Sequence, residues 1–147
     1  MKRKKASSTE LPAYASFLKS LEIFSISLTD STFHGNRDEY FENPRHELDV
    51  DWRTESAGKW EQAFDVRVNV TIKISAPKKD KDFFKLTAEY LLHVHAPAPL
   101  DHQHVKRFTD SEVRLIVWPY VREYATSLFG RMHVPPAILP VAGAKGG

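Results

Sequence analysis

The residues of this sequence with the most recognisable chemistry are its histidines. Seven occur among 147 residues, and four of them form two spaced pairs, His93-x-His95 and His102-x-His104. Residues i and i+2 of a strand share a face, so His93 and His95 could hold one metal ion. His102 or His104 would then return from the following segment to complete the ligand set. The plainer alternative is a pair of solvated or partner-facing histidines, since only Asp101 offers a carboxylate near an obvious ligand position. A histidine-rich metal-binding protein, or a small metal enzyme built on these four residues, is therefore one of two functional readings to test.

Other chemistries find little support. There is no cysteine, which excludes disulfides, thiol nucleophiles and thiolate zinc sites. No Gly-x-Ser-x-Gly elbow occurs, and the six glycines form no phosphate-cradling pattern. Glu47, Asp49, Asp51, Glu61 and Asp65 alternate with apolar residues, the pattern of a solvated sheet face rather than an acid–base pair. No catalytic residue is assigned, and no cofactor is implied.

Charge narrows the partners. The formal net charge is +2, and Lys2, Arg3, Lys4 and Lys5 are four of the 21 basic residues. Residues 6–147 therefore carry 17 basic against 19 acidic residues, a net of −2. A domain that binds phosphate backbones holds its positive charge on the folded surface, so nucleic acid is not an expected partner. Hydrophobic residues at 41% and charged residues at 27% suit a soluble globular chain of one domain. The basic start is followed by Ser7, Ser8, Thr9 and Glu10 rather than an apolar core, so neither a secretory signal nor membrane insertion is expected. The expected organisation is a flexible basic leader at 1–12, a domain at 13–142 and a flexible tail at 143–147, in the cytoplasm.

The elements that must position these residues are mostly strands. Phe64, Val66, Val68, Val70, Ile72 and Ile74 alternate with polar residues, and Phe84, Leu86, Ala88, Tyr90, Leu92 and Val94 repeat the pattern after a polar turn. Together they predict an antiparallel hairpin. Leu21 and Ile23 give way to Phe24, Ile26 and Leu28, a change of parity that predicts a β-bulge in an earlier strand. Leu48, Val50 and Trp52 mark a further strand, closed by Ser56-Ala57-Gly58. Residues 33–41 read as an irregular connection carrying Phe33, Tyr40 and Phe41.

Past Pro99 the period changes. Thr109-Asp110-Ser111-Glu112 has capping-box spacing, and Val113, Val117, Val121, Tyr124, Ala125, Leu128 and Met132 form a helical stripe. Pro119 lies inside it and predicts a kink or a restart.

Size then raises a question of cover. A sheet of four strands spaced about 4.8 Å apart, with strands of about 40 Å, presents roughly 800 Å² on its apolar face. One helix of about 20 residues covers some 300 Å². Unless the apolar segments 33–41 and 134–142 fold back over it, the remainder predicts an oligomer with spare apolar grooves.

The helix carries Trp118-Pro119-Tyr120-Val121-Arg122-Glu123-Tyr124-Ala125-Thr126-Ser127-Leu128. It is followed by Val134-Pro135-Pro136-Ala137-Ile138-Leu139-Pro140-Val141. This resembles the SecB export-chaperone family, where an aromatic-Pro-Tyr-small-Arg-Glu run opens the long helix and a Pro-x-Leu-x-Leu-x-Pro-like segment follows it. The strand order with an aromatic crossover between the first two strands agrees, and the resemblance covers about residues 15–142.

The resemblance implies an α+β fold, a four-stranded antiparallel sheet with one long C-terminal helix packed on one face. It implies a homotetramer, a dimer of dimers, that holds non-native polypeptides in long apolar grooves without ATP. By position it makes Phe33, Tyr40, Phe41, Val134, Ile138, Leu139 and Val141 client contacts. Val113, Trp118, Tyr120 and Tyr124 become subunit contacts. Two departures matter. The family is strongly acidic and uses acidic sheet residues to dock on the SecA motor, whereas residues 6–147 are at −2. The family's second helix also has no counterpart before Gly147. Both argue against docking on SecA and suit the SecB-like branch that guards an antitoxin in toxin–antitoxin–chaperone systems. The clients implied are export substrates or an antitoxin.

Overall fold

The computed structural model describes residues 10–77 and 81–134. In chain order the elements are α1 (Glu10–Ser20), β1 (Glu22–Gly35), α2 (Arg37–Glu42), β2 (Glu47–Lys59), β3 (Ala63–Ser75), β4 (Asp82–His95), α3 (His102–Asp110) and α4 (Glu112–Arg131). The strands form one antiparallel sheet in the order β1-β4-β3-β2.

Period-two alternation decides the two sheet faces. On β3 and β4, Val68 pairs with Tyr90, Val70 with Ala88 and Ile72 with Leu86, and all six are buried on the inner face. Asp65, Arg67, Asn69, Thr71 and Lys73 fall on the outer face. There Arg67 bridges Glu55 at 3.0 Å and Glu89 at 3.4 Å. β2 continues through a register shift between Ser56 and Gly58, so the Ser56-Ala57-Gly58 segment bends the strand rather than closing it.

β1 carries two register shifts, one between Ile23 and Ser25 and one between Leu28 and Asp30. Each inserts one unpaired residue, Phe24 and then Thr29, and resets the parity. As a result Ile23, Ile26, Leu28, Ser31 and Phe33 all sit opposite inner-face residues of β4: Val94, Leu92, Tyr90, Ala88 and Leu86.

The crossover carries the chain from one sheet edge to the other. It is ordered rather than irregular. The Asn36 side chain accepts from the Glu39 amide at 3.1 Å and starts α2, while the Asn36 amide donates to the Phe83 carbonyl at 2.7 Å. Tyr40 and Phe41 therefore lie on a helix, and Phe33 is a β1 residue stacked on Phe84 at 6.2 Å. This corrects the loop positions expected for all three.

α1 begins at Glu10, inside the segment expected as leader. It closes one end of the core: Phe17 stacks on Phe64 at 6.5 Å and packs at a tilt against His104 at 5.2 Å. Tyr14 is buried, donates its hydroxyl to the Glu112 carboxylate at 2.5 Å and lies under the Arg107 guanidinium at 4.0 Å. Burial, reinforced by the hydrogen bond to Glu112 and its charge, raises the phenol well above the ordinary tyrosine range, against a smaller lowering by Arg107. The fold thus favours the neutral phenol. Its contribution is complete below about pH 10 and is lost as pH climbs above that value toward the raised one. Tyr14→Phe is expected to cost about 1–3 kcal/mol at neutral pH. Thermal melts between pH 9 and 11 should fall more steeply for the wild type than for the variant.

The C-terminal helix is interrupted at Ser111. Thr109 belongs to the last turn of α3, where its hydroxyl is buried and donates to the Val105 carbonyl at 2.8 Å. Ser111 caps α4 without a side-chain hydrogen bond, and Glu112 faces Tyr14 instead. The capping-box spacing at 109–112 is therefore met by other partners. α4 runs through Pro119, and the Leu115 carbonyl that loses its amide partner there belongs to a residue 61% exposed, on the solvent side of the helix. The interruption stands eight residues before the proline. Val113 and Trp118 are 0% and 1% exposed, packed in the subunit's own core, with Trp118 against Trp52 at 5.5 Å. Neither offers surface to a second copy, which corrects their expected place at a subunit interface.

Candidate functional site

The helices cover β3 and β4 fully, and the cover runs out at β1. Ile23, Leu28 and, on α4, Tyr120 remain exposed, with Leu28 at 43% and Tyr120 at 48%. Between β1 and α4 lies a groove of about 340 Å³ lined by Ile26, Leu28, Tyr90, Tyr120, Tyr124 and, at its rim, Glu123 with Ser127. Its geometry follows from the sequence. The bulge at Thr29 keeps Leu28 on the inner face, and the helical stripe turns Tyr124 inward while Tyr120 stays at the rim.

Tyr90 forms the buried floor. Its hydroxyl is pushed up to about 12, first by burial and then by Tyr124 and Glu123 beside it, so it stays a neutral phenol in an apolar trough. The Tyr124 and Ser31 hydroxyls are 2.8 Å apart and tie α4 to β1. Farther along β1 the same inner face continues as Phe33, Phe84 and Tyr40. Phe84 contacts Tyr40 at 5.3 Å and Phe129 at 5.4 Å. Phe41, 51% exposed, extends this end outward beneath the Arg37 guanidinium at 4.9 Å. From Leu28 to Gly35 the strand spans roughly 23 Å at about 3.3 Å per residue, the length of a seven-residue extended segment.

The expected client contacts thus separate. Phe41 is exposed, while Tyr40 and Phe33 are partly buried beside it. Val134 is 4% exposed and belongs to the core, which corrects its expected place on an open loop. Ile138, Leu139 and Val141 lie outside the described residues. Of the expected subunit contacts, Tyr120 and Tyr124 face the groove. Leu28 and Ile26 were not anticipated, because only the placement of α4 makes them groove walls.

β1 is also an open edge. It is 14 residues long, and between Glu22 and Asp30 it carries no charge. The other edge, β2, carries Glu47, Asp49, Asp51, Arg53, Glu55 and Lys59, the kind of charge that discourages pairing.

The four histidines are not brought together. His93 and His95 stand on the outer face of β4, whereas His104 packs against Tyr14 and Phe17 on the helix side. His102 meets Lys59 at 3.2 Å. A helix start was missed here: Asp101 caps α3 by accepting from the Gln103 and His104 amides at 2.9 and 3.2 Å. The His104 amide holds this carboxyl below its ordinary value against desolvation, with smaller help from the Gln103 amide and the two histidines. Among the described residues no group of three histidine or acidic side chains is placed to hold a metal ion, and no helix is long and apolar enough to cross a membrane.

No protein-family model matches the chain, and no curated protein matches its sequence. Solved structures do match. The SecB-like chaperone Rv1957 of Mycobacterium tuberculosis, solved in complex with a ChAD peptide from the HigA1 antitoxin, aligns with a TM-score of 0.70 at 20% identity, covering 88% of this chain and 96% of that one. A protein of unknown function from Streptococcus agalactiae aligns at 0.50 with 9% identity, covering 82% and 96%. What is shared at such identities is the architecture, and the architecture is specific: this chain has the SecB-like α+β fold, a four-stranded antiparallel sheet with a long, interrupted C-terminal helix on one face.

Proposed function

We propose that this protein is an ATP-independent holdase that keeps non-native polypeptide segments soluble, with an antitoxin segment as its favoured client. The observation that carries this reading is the apolar groove along β1, floored by Tyr90 and bounded by Leu28 and Tyr120. An extended client can lay alternate apolar side chains into it, and the unpaired backbone of β1 offers hydrogen bonds to the same segment. The neighbour that shares the fold was solved with a peptide from an antitoxin, which supports that class of client.

Export clients remain the second possibility within this function. Docking on the SecA motor is disfavoured, because the outer sheet face mixes Arg67, Lys73 and Lys85 with its carboxylates and is not an acidic surface. Binding rather than catalysis is proposed, in the cytoplasm, by a homo-oligomer of the dimer-of-dimers kind. Of the expected subunit contacts, Tyr120 and Tyr124 line the groove and are assigned to the client in this reading. Leu28, Tyr40 and Phe41, and the apolar residues Ile138, Leu139 and Val141, are the candidate client contacts. Light scattering of a chemically denatured client diluted into buffer, with and without the protein and with no nucleotide present, tests the reading.

A further inference from the structure

The outer face of the sheet holds a feature that client binding does not use. His93 and His95 project from β4 on the same side, with ring centroids 5.0 Å apart and planes at 83°. His93 Nδ1 is hydrogen-bonded to the Asp65 carboxylate on β3, the strand partner directly opposite. His95 is stacked on Phe24 at 4.9 Å with 15° between the planes. Phe24 reaches this position because the first β1 bulge leaves it unpaired and aims it at the outer face. On the other side Trp60 meets the edge of His93 at 5.9 Å.

We propose that His93 and His95 form a two-histidine chelate for a late first-row divalent cation, with Asp65 as the residue that orients His93. Three observations converge on it. The first is separation. A metal–nitrogen bond of about 2.0–2.1 Å puts an imidazole centroid roughly 3.2 Å from the ion, so two rings on one ion stand about 4.5–5.2 Å apart for angles of 90–109°. The 5.0 Å found falls inside that window.

The second is orientation. A carboxylate on one imidazole nitrogen fixes the ring and leaves the other nitrogen, here Nε2 of His93, available to a metal. The third is packing, since Phe24 contacts both rings and Trp60 contacts His93. With no third protein donor placed among the described residues, water completes the coordination and the site stays open. Two neutral nitrogen donors select copper(II), nickel(II) and zinc(II) over magnesium and calcium.

The test is calorimetric titration of the untagged chain with CuCl2, NiCl2, ZnCl2 and MgCl2. The expected result is one ion per chain in the micromolar range, copper tightest and magnesium unbound. Trp60 supplies a second readout, because it is exposed while Trp52 and Trp118 are buried. Copper should quench its emission in step with the heat signal, and the quenching should vanish in Trp60→Phe. His95→Ala is expected to weaken binding at least tenfold and Asp65→Asn about tenfold, while His102→Ala changes nothing. His102→Ala should melt like the wild type because His102 is exposed, and melts of His95→Ala and Asp65→Asn, both part-buried, establish that those variants are folded under the titration conditions. Absence of stoichiometric heat below about 100 µM would overturn the proposal, as would binding that survives His95→Ala or disappears with His102→Ala.

Discussion

Trp118→Ala is expected to remove about 3–5 kcal/mol from the stability of the folded subunit. Trp118 is among the largest fully buried side chains, 1% exposed and packed on Trp52 where α4 crosses the sheet. Truncation loses the transfer energy of an indole and leaves a cavity between helix and sheet that a rigid β3–β4 pair cannot collapse to fill. Domains of this size commonly have only about 5–15 kcal/mol in total, so the variant should stand near the edge of folding. Leu115→Ala, three positions away on the same helix but 61% exposed, should move stability by no more than about 0.5 kcal/mol. Urea unfolding followed by circular dichroism measures both. Equal effects of the two substitutions would place Trp118 outside the core and return it to a subunit contact.

Leu28→Asp combined with Phe41→Asp is expected to weaken client binding by at least tenfold. Burying one leucine side chain contributes about 1.5–3 kcal/mol, and a carboxylate in its place must be desolvated by any apolar client segment. Both residues are exposed, at 43% and 51%, so the fold should tolerate the change. The binding of a fluorescent apolar peptide gives the affinity, and sedimentation of the free variant gives its assembly state. Unchanged assembly with lost binding assigns the groove to clients. A fall in mass would instead assign Leu28 to the contact between subunits.

The strands were legible because alternation with a period of two has one physical meaning, a half-buried sheet. The first β1 bulge was legible for the same reason, since Ile23 and Phe24 break parity between apolar residues. The second was not. Thr29-Asp30-Ser31-Thr32 is polar throughout and carries no parity marker, although it decides that Leu28 and Phe33 share a face.

α1 was hidden by its context. Leu11, Tyr14, Phe17, Leu18 and Leu21 have helical spacing, yet the basic run before them and Pro12 suggested a leader. α3 was hidden by His102-x-His104, a spacing that suggested a metal loop and drew attention from Asp101 as a helix cap. The same histidines show why spacing alone misleads. Identical His-x-His pairs end on opposite sides of the sheet, because one lies on a strand and the other on a helix.

The candidate site was half legible. Surplus apolar surface followed from area, and the aromatic residues of the crossover were visible in composition. Where that surface lies depends on the seat of α4, fixed by core contacts such as Trp118 on Trp52 that no local pattern encodes.

The measurement that tests the central claim most directly is multi-angle light scattering of the protein alone and mixed with a denatured client, without nucleotide. The holdase account predicts a soluble complex of defined mass, larger than the free assembly, with client aggregation suppressed near stoichiometry. Client that aggregates at its own rate in the presence of excess protein, with no complex formed, would contradict it.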